Sequence, residues 1–577
     1  MNTGFPVYTV TNECQDCYKC VRHCPCKAIR VTNGSASVIP ELCVACGTCV
    51  KVCPAGAKRI RPDLSHAKFL ISQGRKVYAS IAPSWTSYFQ ELDSAKLIAV
   101  LKKLGFAGVS ETALGAQLLS SETGRLLREN PGRLFISPAC PATVSYIRKY
   151  LPERVDSIVP MLSPLLSHCR FLKKEYGSDI AVVFFGPCAA KKNESAAHPE
   201  LLDVALTFDD LKLWMKQDGV NFQDTLSGAE DVFVPSAAVE GRLYAVEGGM
   251  NETLRGAPGD NSYYLTLSGL NNIKRVLGPK SRLDSLPHGV FIECLACNGG
   301  CVNGPSMHGN ESSIGGILAT IEESTVRNSL DRKVEVDISE TFSADVQTEK
   351  TVSEEEIRSA LAEIGKYAAE DELNCGGCGY PTCRDFAIAR LSGKAESAMC
   401  LSHLRRMAQK KSNALIKYIP SGVVIADRNL KIIECNEAFA SLFGEDTKMA
   451  YDAEPGLAGA ELCTILEFTE LFDTVLKTGK DLILNNQMEK DKIFNVTIFS
   501  IEPHQIVGAI IQDVTQTEMR REQIAEKANE VIKKNVETVQ KIAMYLGEHM
   551  ADTEILLHEV ASGYKAKPKN PSEQAGG

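Results

Sequence analysis

Short apolar runs alternate with helical patterns between residues 63 and 330. Four of these runs, VYASIAPSW, RLFISPACP, IAVVFFGPC and GVFIECLAC, have the length and apolar content of buried strands that end in loops. Helical stretches such as 94–104 separate them. Because strands separated by helices are typical of parallel sheets, we predict a multidomain α/β protein whose central domain, 63–330, contains parallel sheets. Ligands of such sheets gather outside the carboxyl ends of the strands.

The last third of the chain has a different pattern. The stretch 419–444 predicts a strand, an Asp-Arg-Asn turn, a second strand and a helix that starts at Asn436. Two later runs, IFNVTIFSI and IVGAIIQDVT, predict further strands, and the alternation in the first is typical of a half-buried antiparallel strand. We therefore expect a basic linker helix followed by an α+β domain over 403–515.

From residue 516 the apolar positions follow a heptad spacing. One position holds Ile532, Val539 and Leu546, and the other holds Val536, Ala543, Met550 and Leu557. Such a seam requires a partner helix, so 516–563 predicts a coiled-coil output helix that forms a homodimer or docks on a downstream protein. Packing of an amphipathic helix against its own domain is the alternative. The polar tail 564–577 is expected to be disordered.

Composition narrows the class of protein. The 577 residues carry a formal net charge of -9, with 44% hydrophobic and 23% charged residues, which fits about three to five globular domains. The mild acidity argues against nucleic acid as a partner. No apolar run approaches the roughly 20 residues of a membrane span, and no signal-peptide pattern opens the chain, so we expect a cytoplasmic protein without a membrane partner. In a reducing cytosol, 21 cysteines indicate metal ligation.

Two cysteine runs near the N-terminus share one spacing. CQDCYKCVRHCP and CVACGTCVKVCP each hold four cysteines, with gaps of two, two and three residues, and a following proline. This resembles bacterial two-cluster ferredoxins, in which the fourth cysteine of each run binds the other cluster. The resemblance covers residues 1–62 and implies two 4Fe-4S clusters; their ligands would be Cys14, Cys17, Cys20 and Cys53 for the first and Cys43, Cys46, Cys49 and Cys24 for the second. A pair of zinc knuckles is the alternative.

A third cysteine set follows the central domain, within the segment 331–402. Its members are Cys375, Cys378, Cys383 and Cys400. Their spacing resembles that of a small 4Fe-4S module found in redox proteins, with a zinc site as the alternative. The three glycines among them let the backbone approach the cluster sulfurs. The stretch 353–367 has an acidic first turn and apolar helical spacing, so it predicts a helix that packs over the module.

Three of the four predicted central strands end in cysteine motifs. The motifs are SPACP at 137–141, GPCAAKKNE at 186–194 and ECLACNGGCVNG at 293–304, and APS occurs upstream at 82–84. In this order and context they resemble the signature loops of the iron-only (FeFe) hydrogenases. That family binds an H-cluster, which is a 4Fe-4S cubane joined by one thiolate to a two-iron unit with carbonyl and cyanide ligands. The resemblance implies that the cubane ligands are Cys140, Cys188, Cys297 and Cys301, with Cys301 as the bridge.

Other residues of these loops match family positions around the two-iron unit. Cyanide ligands are anionic acceptors that require fixed donors, and the resemblance gives this role to Lys191 and Ser84. A solvated surface lysine is the alternative for Lys191. Gly299, Gly300 and Gly304 would let the backbone approach a bulky cofactor. Glu194 matches a family glutamate that pairs with a cation in a structural role.

The sequence also departs from the family. Fast members hold a proton-relaying cysteine directly before the first cubane ligand, and here that position is Ala139, which carries no proton. The helix expected to supply relay carboxylates offers Glu122 alone, and a family methionine is replaced by Leu295. We therefore predict slow turnover or another proton route, with Glu293 and Glu247 as hypothetical substitutes. These departures resemble the sensory branch of the family.

The C-terminal domain resembles a PAS sensor domain. The strand, turn, strand and Asn-capped helix of 419–444 match the opening of that fold, and Asp513-Val514-Thr515 matches its junction with an output helix. A cofactor of this domain is left open, because His504 falls in a predicted turn and is interpreted as a surface residue. Cys435 and Cys463 are interpreted as small core residues. Together with Cys26, Cys169 and Cys294 they are the cysteines without an assigned ligand role.

These features predict a cytoplasmic sensory FeFe hydrogenase of low turnover, with an H-cluster and three further 4Fe-4S clusters. It would split or slowly evolve dihydrogen and relay its redox state to the PAS and coiled-coil segment. Its partners would be dihydrogen and protons, hydrogenase maturation proteins, and a kinase, phosphatase or redox protein downstream. A ferredoxin-linked metabolic hydrogenase is one alternative. A non-catalytic iron-sulfur binding or assembly protein without the two-iron unit is the other.

Overall fold

The computed structural model describes residues 4–89, 92–255, 262–278, 288–307, 314–324, 332–347, 351–489 and 491–563. It consists of two compact units, Met1–Leu404 and Arg405–Gly577. The predicted disordered tail lies outside the described residues. Within the described residues no helix is both long and apolar enough to cross a membrane.

The N-terminal part is built from two small antiparallel ribbons. Its elements are β1 Val7–Thr9, α1 Lys19–His23, β2 Ile29–Thr32, β3 Ser35–Val38, α2 Thr48–Lys51 and β4 Lys58–Ile60. Strand β1 pairs with β4 and β2 pairs with β3. Helix α1 begins within the first cysteine run and α2 within the second, so each run wraps around a short helix.

The central part alternates strands and helices. Its elements are α3 Leu64–Ser72, β5 Val77–Ile81, α4 Trp85–Tyr88, α5 Ser94–Lys103, β6 Gly108–Glu111, α6 Ala113–Glu129, β7 Leu134–Ile136, α7 Pro141–Tyr150, α8 Pro164–Tyr176, β8 Ala181–Phe185, α9 Lys191–Ala197, β9 Val204–Leu206, α10 Phe208–Gln217, α11 Gly249–Leu254, β10 Tyr263–Ser268, α12 Leu270–Leu277, β11 Val290–Leu295 and α13 Ile314–Glu322.

The predicted parallel pairing of the central strands is confirmed, and the strands form two sheets. One has the order β6-β5-β8-β9 and the other β10-β11-β7, and neighbouring strands in both sheets are parallel. Strands β5 and β8 are buried at every position, and β11 is too. Burial on both faces explains why these strands read as continuous apolar runs. The two sheets direct their carboxyl ends towards one region of the domain, where the cysteine loops lie.

The third cysteine set belongs to a small helical module. It contains α14 Glu354–Glu363 and α15 Cys383–Leu391, and helix α16 Leu401–Tyr418 follows directly. The helix predicted over 353–367 is shorter than expected. It starts as predicted, because Ser353 and Glu356 form a capping box, but it ends before Gly365, whose φ of 72° is left-handed.

The C-terminal unit has a five-stranded antiparallel sheet. Its elements are β12 Gly422–Asp427, β13 Ile432–Cys435, α17 Glu437–Leu442, α18 Glu445–Ala453, α19 Thr469–Thr478, β14 Leu482–Glu489, β15 Lys492–Glu502, β16 Ile506–Asp513 and α20 Thr515–Gly563. The strand order is β13-β12-β16-β15-β14. Asn436 caps α17 as predicted, since its Oδ1 accepts a hydrogen bond from Phe439 N at 2.9 Å.

Helix α20 is a single helix of 49 residues. Most of its residues, including the apolar residues of the predicted heptad seam, are exposed, and Thr515 and Glu518 near its start are half-buried. The alternative in which this helix packs back on its own domain therefore finds no support among the described residues. One cysteine prediction is wrong in this unit: Cys463 is exposed, because the neighbouring Leu462 fills the core instead. Cys435 is buried as expected.

Candidate iron-sulfur centres and a cysteine-lined cavity

A cavity opens where the strands of the two central sheets end. Cys140 directly follows the loop after β7, Cys188 follows β8, and Cys297 and Cys301 follow β11. All four line this cavity, which we call the central cavity, and it contains about 850 Å³ of space not filled by protein atoms. Residues far apart in sequence are thus brought together because parallel strands end on the same side of their sheets.

The backbone around the central cavity is fixed by local constraints. Cys140 stands at the N-cap of α7, and Pro141 occupies the first helical position, where its fixed φ favours the helix. Gly300 has a φ of 94°, and a Cβ there would lie 2.6 Å from Ala245 O. Only glycine fits this position, so the loop between Cys297 and Cys301 passes close to its neighbour and keeps the two thiols on the cavity wall.

The buried side chain of Lys191 lies at the wall of the same cavity. Its Nζ lies 2.7 Å from Glu194 Oε2 and donates to Ser163 Oγ at 3.2 Å. Burial disfavours the charged amine, but the Glu194 carboxylate and the Cys188 thiolate together outweigh burial, so the pKa of Lys191 is raised. The structure therefore places Lys191 away from bulk solvent as a permanent positive charge, and it places Glu194 as the partner of that charge.

The hydroxyl group of Ser84 lies at the cavity wall and is a hydrogen-bond donor without a partner among the described residues. Its side chain is fully buried and lines the cavity. Among the described residues its Oγ has no hydrogen-bond partner, a condition that costs about 1–3 kcal/mol unless something else satisfies it. Four thiols, one fixed cation and one free hydroxyl fit a thiolate-bound iron group that also carries anionic acceptor ligands.

Two apolar side chains stand where the family carries functional ones. Ala139 and Leu295 both line the central cavity. Glu122, by contrast, is bonded to Arg125 at 2.6 Å on the outer part of α6 and does not line the cavity. The cavity wall therefore has neither a thiol at position 139 nor the Glu122 carboxylate.

The two glutamates predicted as a substitute route lie beside the cavity. Glu293 is buried on β11, and its carboxylate accepts from the backbone nitrogens of Met250 and Asn251, each at 3.4 Å. Burial raises the pKa of Glu293 to about 7 despite these two hydrogen bonds. Glu247 is exposed, and its Oε2 accepts from Gly299 N at 3.1 Å. Neither carboxylate is part of the cavity wall.

Tyr244 and Cys46 are polar residues of the cavity wall that the sequence did not indicate. Tyr244 lines it, and its hydroxyl lies 2.9 Å from Ser120 Oγ, which in turn lies 2.7 Å from Thr253 Oγ1. Cys46 of the N-terminal part also reaches the wall. It does so because the adjacent Gly47 packs against Pro305 so closely that a Cβ would lie 2.3 Å from the proline ring. Neither residue stands in a local motif that indicates this placement.

Cys24 lies close to the second cysteine run of the N-terminal part, and the two predicted ligand sets stay a prediction. Burial raises the pKa of Cys49, and the thiolates of Cys43, Cys46 and Cys24 raise it further. Cys24 of the first run therefore lies among the cysteines of the second run. Burial also raises the pKa of Cys20, whose cysteine neighbours are Cys14 and Cys17. Cys26 lies beside Cys24 and Cys43 and is half-buried.

The third cysteine set also converges. Cys375, Cys378, Cys383 and Cys400 line one small cavity with Lys366 and Asn374. Asn374 Oδ1 accepts from Cys383 N at 2.7 Å, which fixes the loop against the start of α15. Among the described residues no three His, Cys, Asp or Glu side chains converge on a single point that could hold one metal ion. A 4Fe-4S cluster does not require this, because each thiolate binds a different iron atom.

His504 lies in the turn before β16, where its Nδ1 is 2.9 Å from Leu476 O. Its ring is thus engaged with the backbone of α19.

Comparison with known proteins first defines the chain as an iron-sulfur protein. Family models match residues 36–59 as a 4Fe-4S binding domain and 371–402 as a putative Fe-S cluster. Residues 75–305 match the C-terminal domain of the iron-only hydrogenase large subunit, and 410–478 match a PAS domain. The central part of the chain is thus similar to the FeFe hydrogenases, and other parts are similar to 4Fe-4S and PAS domains.

Similar curated proteins are hydrogenases. The periplasmic Fe hydrogenase large subunit of Nitratidesulfovibrio vulgaris is 27% identical over 285 residues, which are 41% of this chain and 66% of that protein. Iron hydrogenase 1 of Clostridium pasteurianum is 24% identical over 283 residues, which are 41% of this chain and 49% of that protein. The chain thus spans less than two thirds of the length of these relatives.

Among solved structures, a variant of FeFe-hydrogenase HydA1 from Chlamydomonas reinhardtii is similar to part of the chain. It has a TM-score of 0.40 and 18% identity, and the match covers 49% of this chain and 100% of that one.

Proposed function

We propose that this chain is a sensory FeFe hydrogenase of low turnover. The observation that carries the proposal is the central cavity, where four cysteines from three distant loops meet the cation of Lys191 and the unpartnered hydroxyl of Ser84. The family match over 75–305 supports the same reading. The cysteines Cys140, Cys188, Cys297 and Cys301 would hold an H-cluster, with Cys301 as the bridging thiolate.

When bound, the two-iron unit would supply an open iron site for heterolytic cleavage of dihydrogen. The chain's own residues would orient and enclose it. Lys191, held by Glu194 and Ser163, would present its ammonium to an anionic ligand of this unit, and Ser84 would donate the hydrogen of its hydroxyl group. Charge-assisted hydrogen bonds of this kind are roughly twice as strong as neutral ones. Ala139 and Leu295 add apolar surface to the same wall.

Proton exchange with this site would be slow. Ala139 removes the thiol that relays protons in fast members of the family, and Glu122 is engaged with Arg125 outside the cavity. Glu293, with its pKa near neutrality, can both accept and release a proton at physiological pH, and Glu247 is exposed to solvent near the same loop. We infer that Glu293 and Glu247 serve as the proton route.

A signalling role would follow from the domains around the site. The two N-terminal clusters and the 375–400 cluster would take up electrons, and the PAS domain with helix α20 would convert their redox state into altered partner binding. The exposed heptad seam of α20 supports a homodimer or a docked kinase or phosphatase. Assembly of the H-cluster would require hydrogenase maturation proteins, and we expect the protein to work in the cytoplasm.

Two alternatives make different predictions. A ferredoxin-linked metabolic hydrogenase would share the cavity but turn over fast, which Ala139 disfavours. An iron-sulfur assembly protein would lack the two-iron unit. The buried Lys191 cation and the Ser84 hydroxyl would then have no anionic ligand to bind, which disfavours this alternative.

The proposal is tested by dihydrogen uptake with an artificial electron-accepting dye. The chain is produced with and without hydrogenase maturation enzymes, and Cys301→Ala serves as the matched inactive variant. We expect slow uptake by the matured chain alone. No uptake by the matured chain would contradict both hydrogenase readings, and rapid uptake would favour the metabolic one.

A further inference from the structure

The third cysteine module and the N-terminal part share one hydrophobic core. Val21 and Val31 of the N-terminal part pack in the same cluster of buried residues as Tyr380 and Phe386 of the module. Strand β2 is also tied to the module by its backbone, since Val31 N donates to Lys394 O at 3.0 Å. The two parts therefore hold a fixed position relative to each other within Met1–Leu404.

The closest approach is at Gly379. This residue has a φ of 95°, and a Cβ on it would lie 2.8 Å from Val21 Cγ1 and 3.1 Å from Arg22 N. No side chain can be placed there without moving the backbone of α1. The loop that carries Cys378 is thus pressed directly onto the helix that precedes Cys24.

A single lysine joins the two cysteine loops at this point. Lys27 Nζ donates to Gly379 O at 2.6 Å, to Val21 O at 3.1 Å and to Arg22 O at 3.3 Å. It also lies 5.8 Å from the ring centroid of Tyr380. Burial lowers the pKa of Lys27, and the thiolates of Cys24 and Cys378 act against that effect. The same cation is therefore close to a cysteine of each part.

Tyr380 fills the space beside this lysine. Its side chain is 4% exposed, and its hydroxyl has no hydrogen-bond partner among the described residues. Burial raises its pKa, and Cys378 and Cys24 raise it further. Tyr380 and Cys378 thus belong to the hydrophobic cluster against which Cys24 packs, and an open pocket lies beside Lys27 and Tyr380.

The other side of the same N-terminal cysteine group faces the central cavity. Cys24 and Cys46 lie close enough for the thiolate of Cys46 to raise the pKa of Cys24. Cys46 lines the central cavity and is near Cys140. The group Cys24, Cys43, Cys46 and Cys49 therefore reaches the wall of the central cavity through Cys46, and Cys24 packs against the hydrophobic cluster that contains Cys378 and Tyr380 of the third module.

We propose that the cluster held by Cys24, Cys43, Cys46 and Cys49 is a branch point, and that electrons pass from it to the third module across the Lys27–Tyr380 contact. This rests on the proposed binding of 4Fe-4S clusters. Each transfer oxidises one cluster by one electron and reduces the other by one electron, and no bond forms or breaks. Electrons then need not pass through the cluster of Cys14, Cys17, Cys20 and Cys53 on their way between the central cavity and the third module.

The branch gives the third module a direct connection to the rest of the chain. Cys400 is followed at once by Leu401, the first residue of α16. A change of charge on this cluster acts at the base of the helix that continues into residues 405–418. Lys27 tunes both clusters together, because a positive charge close to each stabilises the reduced, more negative state.

The test uses the full chain reconstituted with iron and sulfide but without the two-iron unit. Midpoint potentials are followed by electron paramagnetic resonance during titration with dithionite, and Cys383→Ala identifies the signal of the third cluster. Lys27→Met removes the cation and keeps the length of the side chain. Lys58→Met is the matched control, because Lys58 is also buried and donates to a backbone oxygen, Ala36 O at 2.7 Å, but it belongs to the core of the N-terminal part alone.

We expect K27M to lower the potentials of the third cluster and the Cys24 cluster together, each by about the 59 mV that a tenfold weaker one-electron reduction equilibrium represents. Lys27→Arg should restore both. K58M should leave the third cluster unchanged. Magnetic interaction between the two reduced clusters should be present in the wild type and absent in C383A.

Three results would overturn the branch point: unshifted potentials in K27M, a shift of the third cluster alone, or magnetic interaction of the third cluster with the first cluster only. The last result would mean that electrons reach the third module from the first cluster. The structure offers a contact for that path, because the Arg22 guanidinium donates to Cys17 O at 3.0 Å and to Gly377 O at 3.4 Å. Missing iron and sulfide would instead overturn the cluster assignment itself, so the two failures are distinguishable.

Discussion

Lys191 Nζ lies 2.7 Å from Glu194 Oε2 at the wall of the central cavity, and both side chains are largely buried. The pair holds a fixed positive charge beside four thiols. Removing one partner of a buried pair leaves an uncompensated charge, which is costly even when the pair itself contributes little.

Lys191→Met should therefore destabilise the chain by about 3 kcal/mol and should also prevent retention of the two-iron unit. Glu194→Gln added to it should recover most of the stability but not the retention. Denaturant unfolding measures the first effect and infrared spectra of the matured chain measure the second.

Lys192→Met is the matched control for that experiment. Lys192 is also buried and is bonded to Asp63 at 3.0 Å, but it does not line the cavity. The Lys192→Met variant should be less stable than the wild type and should keep the two-iron unit. Loss of the unit in both variants would show that the effect of Lys191 is a general loss of structure.

Ala139→Cys should raise turnover by less than about threefold, although it restores the relay thiol of fast family members. The reason is that the next carboxylate, Glu122, is tied to Arg125 away from the cavity. Dihydrogen uptake by the matured variant measures this. A gain of tenfold or more would mean that the rest of the relay is intact and that Ala139 alone limits the rate.

Glu293 should titrate near neutral pH. Burial raises its pKa to about 7, so the folded chain holds this proton more tightly than the unfolded chain does. Its contribution to stability is therefore largest at low pH and declines as the pH rises from the ordinary carboxyl range through 7. An infrared band of a protonated carboxyl that disappears in this range, and is absent in Glu293→Gln, measures the titration.

The same residue allows a test of the proton route. Replacing Glu293 and Glu247 together by Gln should reduce dihydrogen turnover by about a hundredfold, the lower range for loss of general acid-base catalysis. Glu252→Gln, on exposed surface of α11 and paired with Arg255, is the control. Unchanged turnover in the double variant would rule out this route.

Helix α20 should carry the dimer. Val539 and Leu546 are each about 60% exposed, at 63% and 58%, on the heptad seam. The double substitution Val539→Glu and Leu546→Glu should produce a monomer, because like charges on the two helices would face each other in the seam. Light scattering on the purified chain measures the mass. Lys541→Glu, on the opposite face, should leave the dimer intact, and a dimer that survives both seam substitutions would place the interface elsewhere.

The sequence predicted much of the site because its signals are local. Strand-end motifs located the cysteine loops that line the central cavity, and the apolar runs located β5, β7, β8 and β11. Their division between two sheets was not predictable, because strand pairing depends on residues distant in sequence. Strand β14 was missed for another reason: its LILNNQME stretch is polar at its centre and breaks register near Asn486, whose φ is 58°.

The contacts that sequence reasoning missed are all long-range. Lys27 donates to Gly379 O, and the two residues are 352 positions apart in the sequence. Cys46 lines a cavity that is built mainly from loops more than 90 residues later. Tyr244 stands in no motif, yet it contacts Ser120 on α6. Such neighbours are selected by the packing of whole elements, so a spacing rule cannot identify them.

An H-cluster held by Cys140, Cys188, Cys297 and Cys301 can be detected by infrared spectroscopy of the full chain, produced with the dedicated maturation enzymes and then exposed to dihydrogen. We expect carbonyl and cyanide bands that shift under dihydrogen and are absent from Cys301→Ala. Four-iron clusters without any such bands would show that the cavity does not hold the two-iron unit.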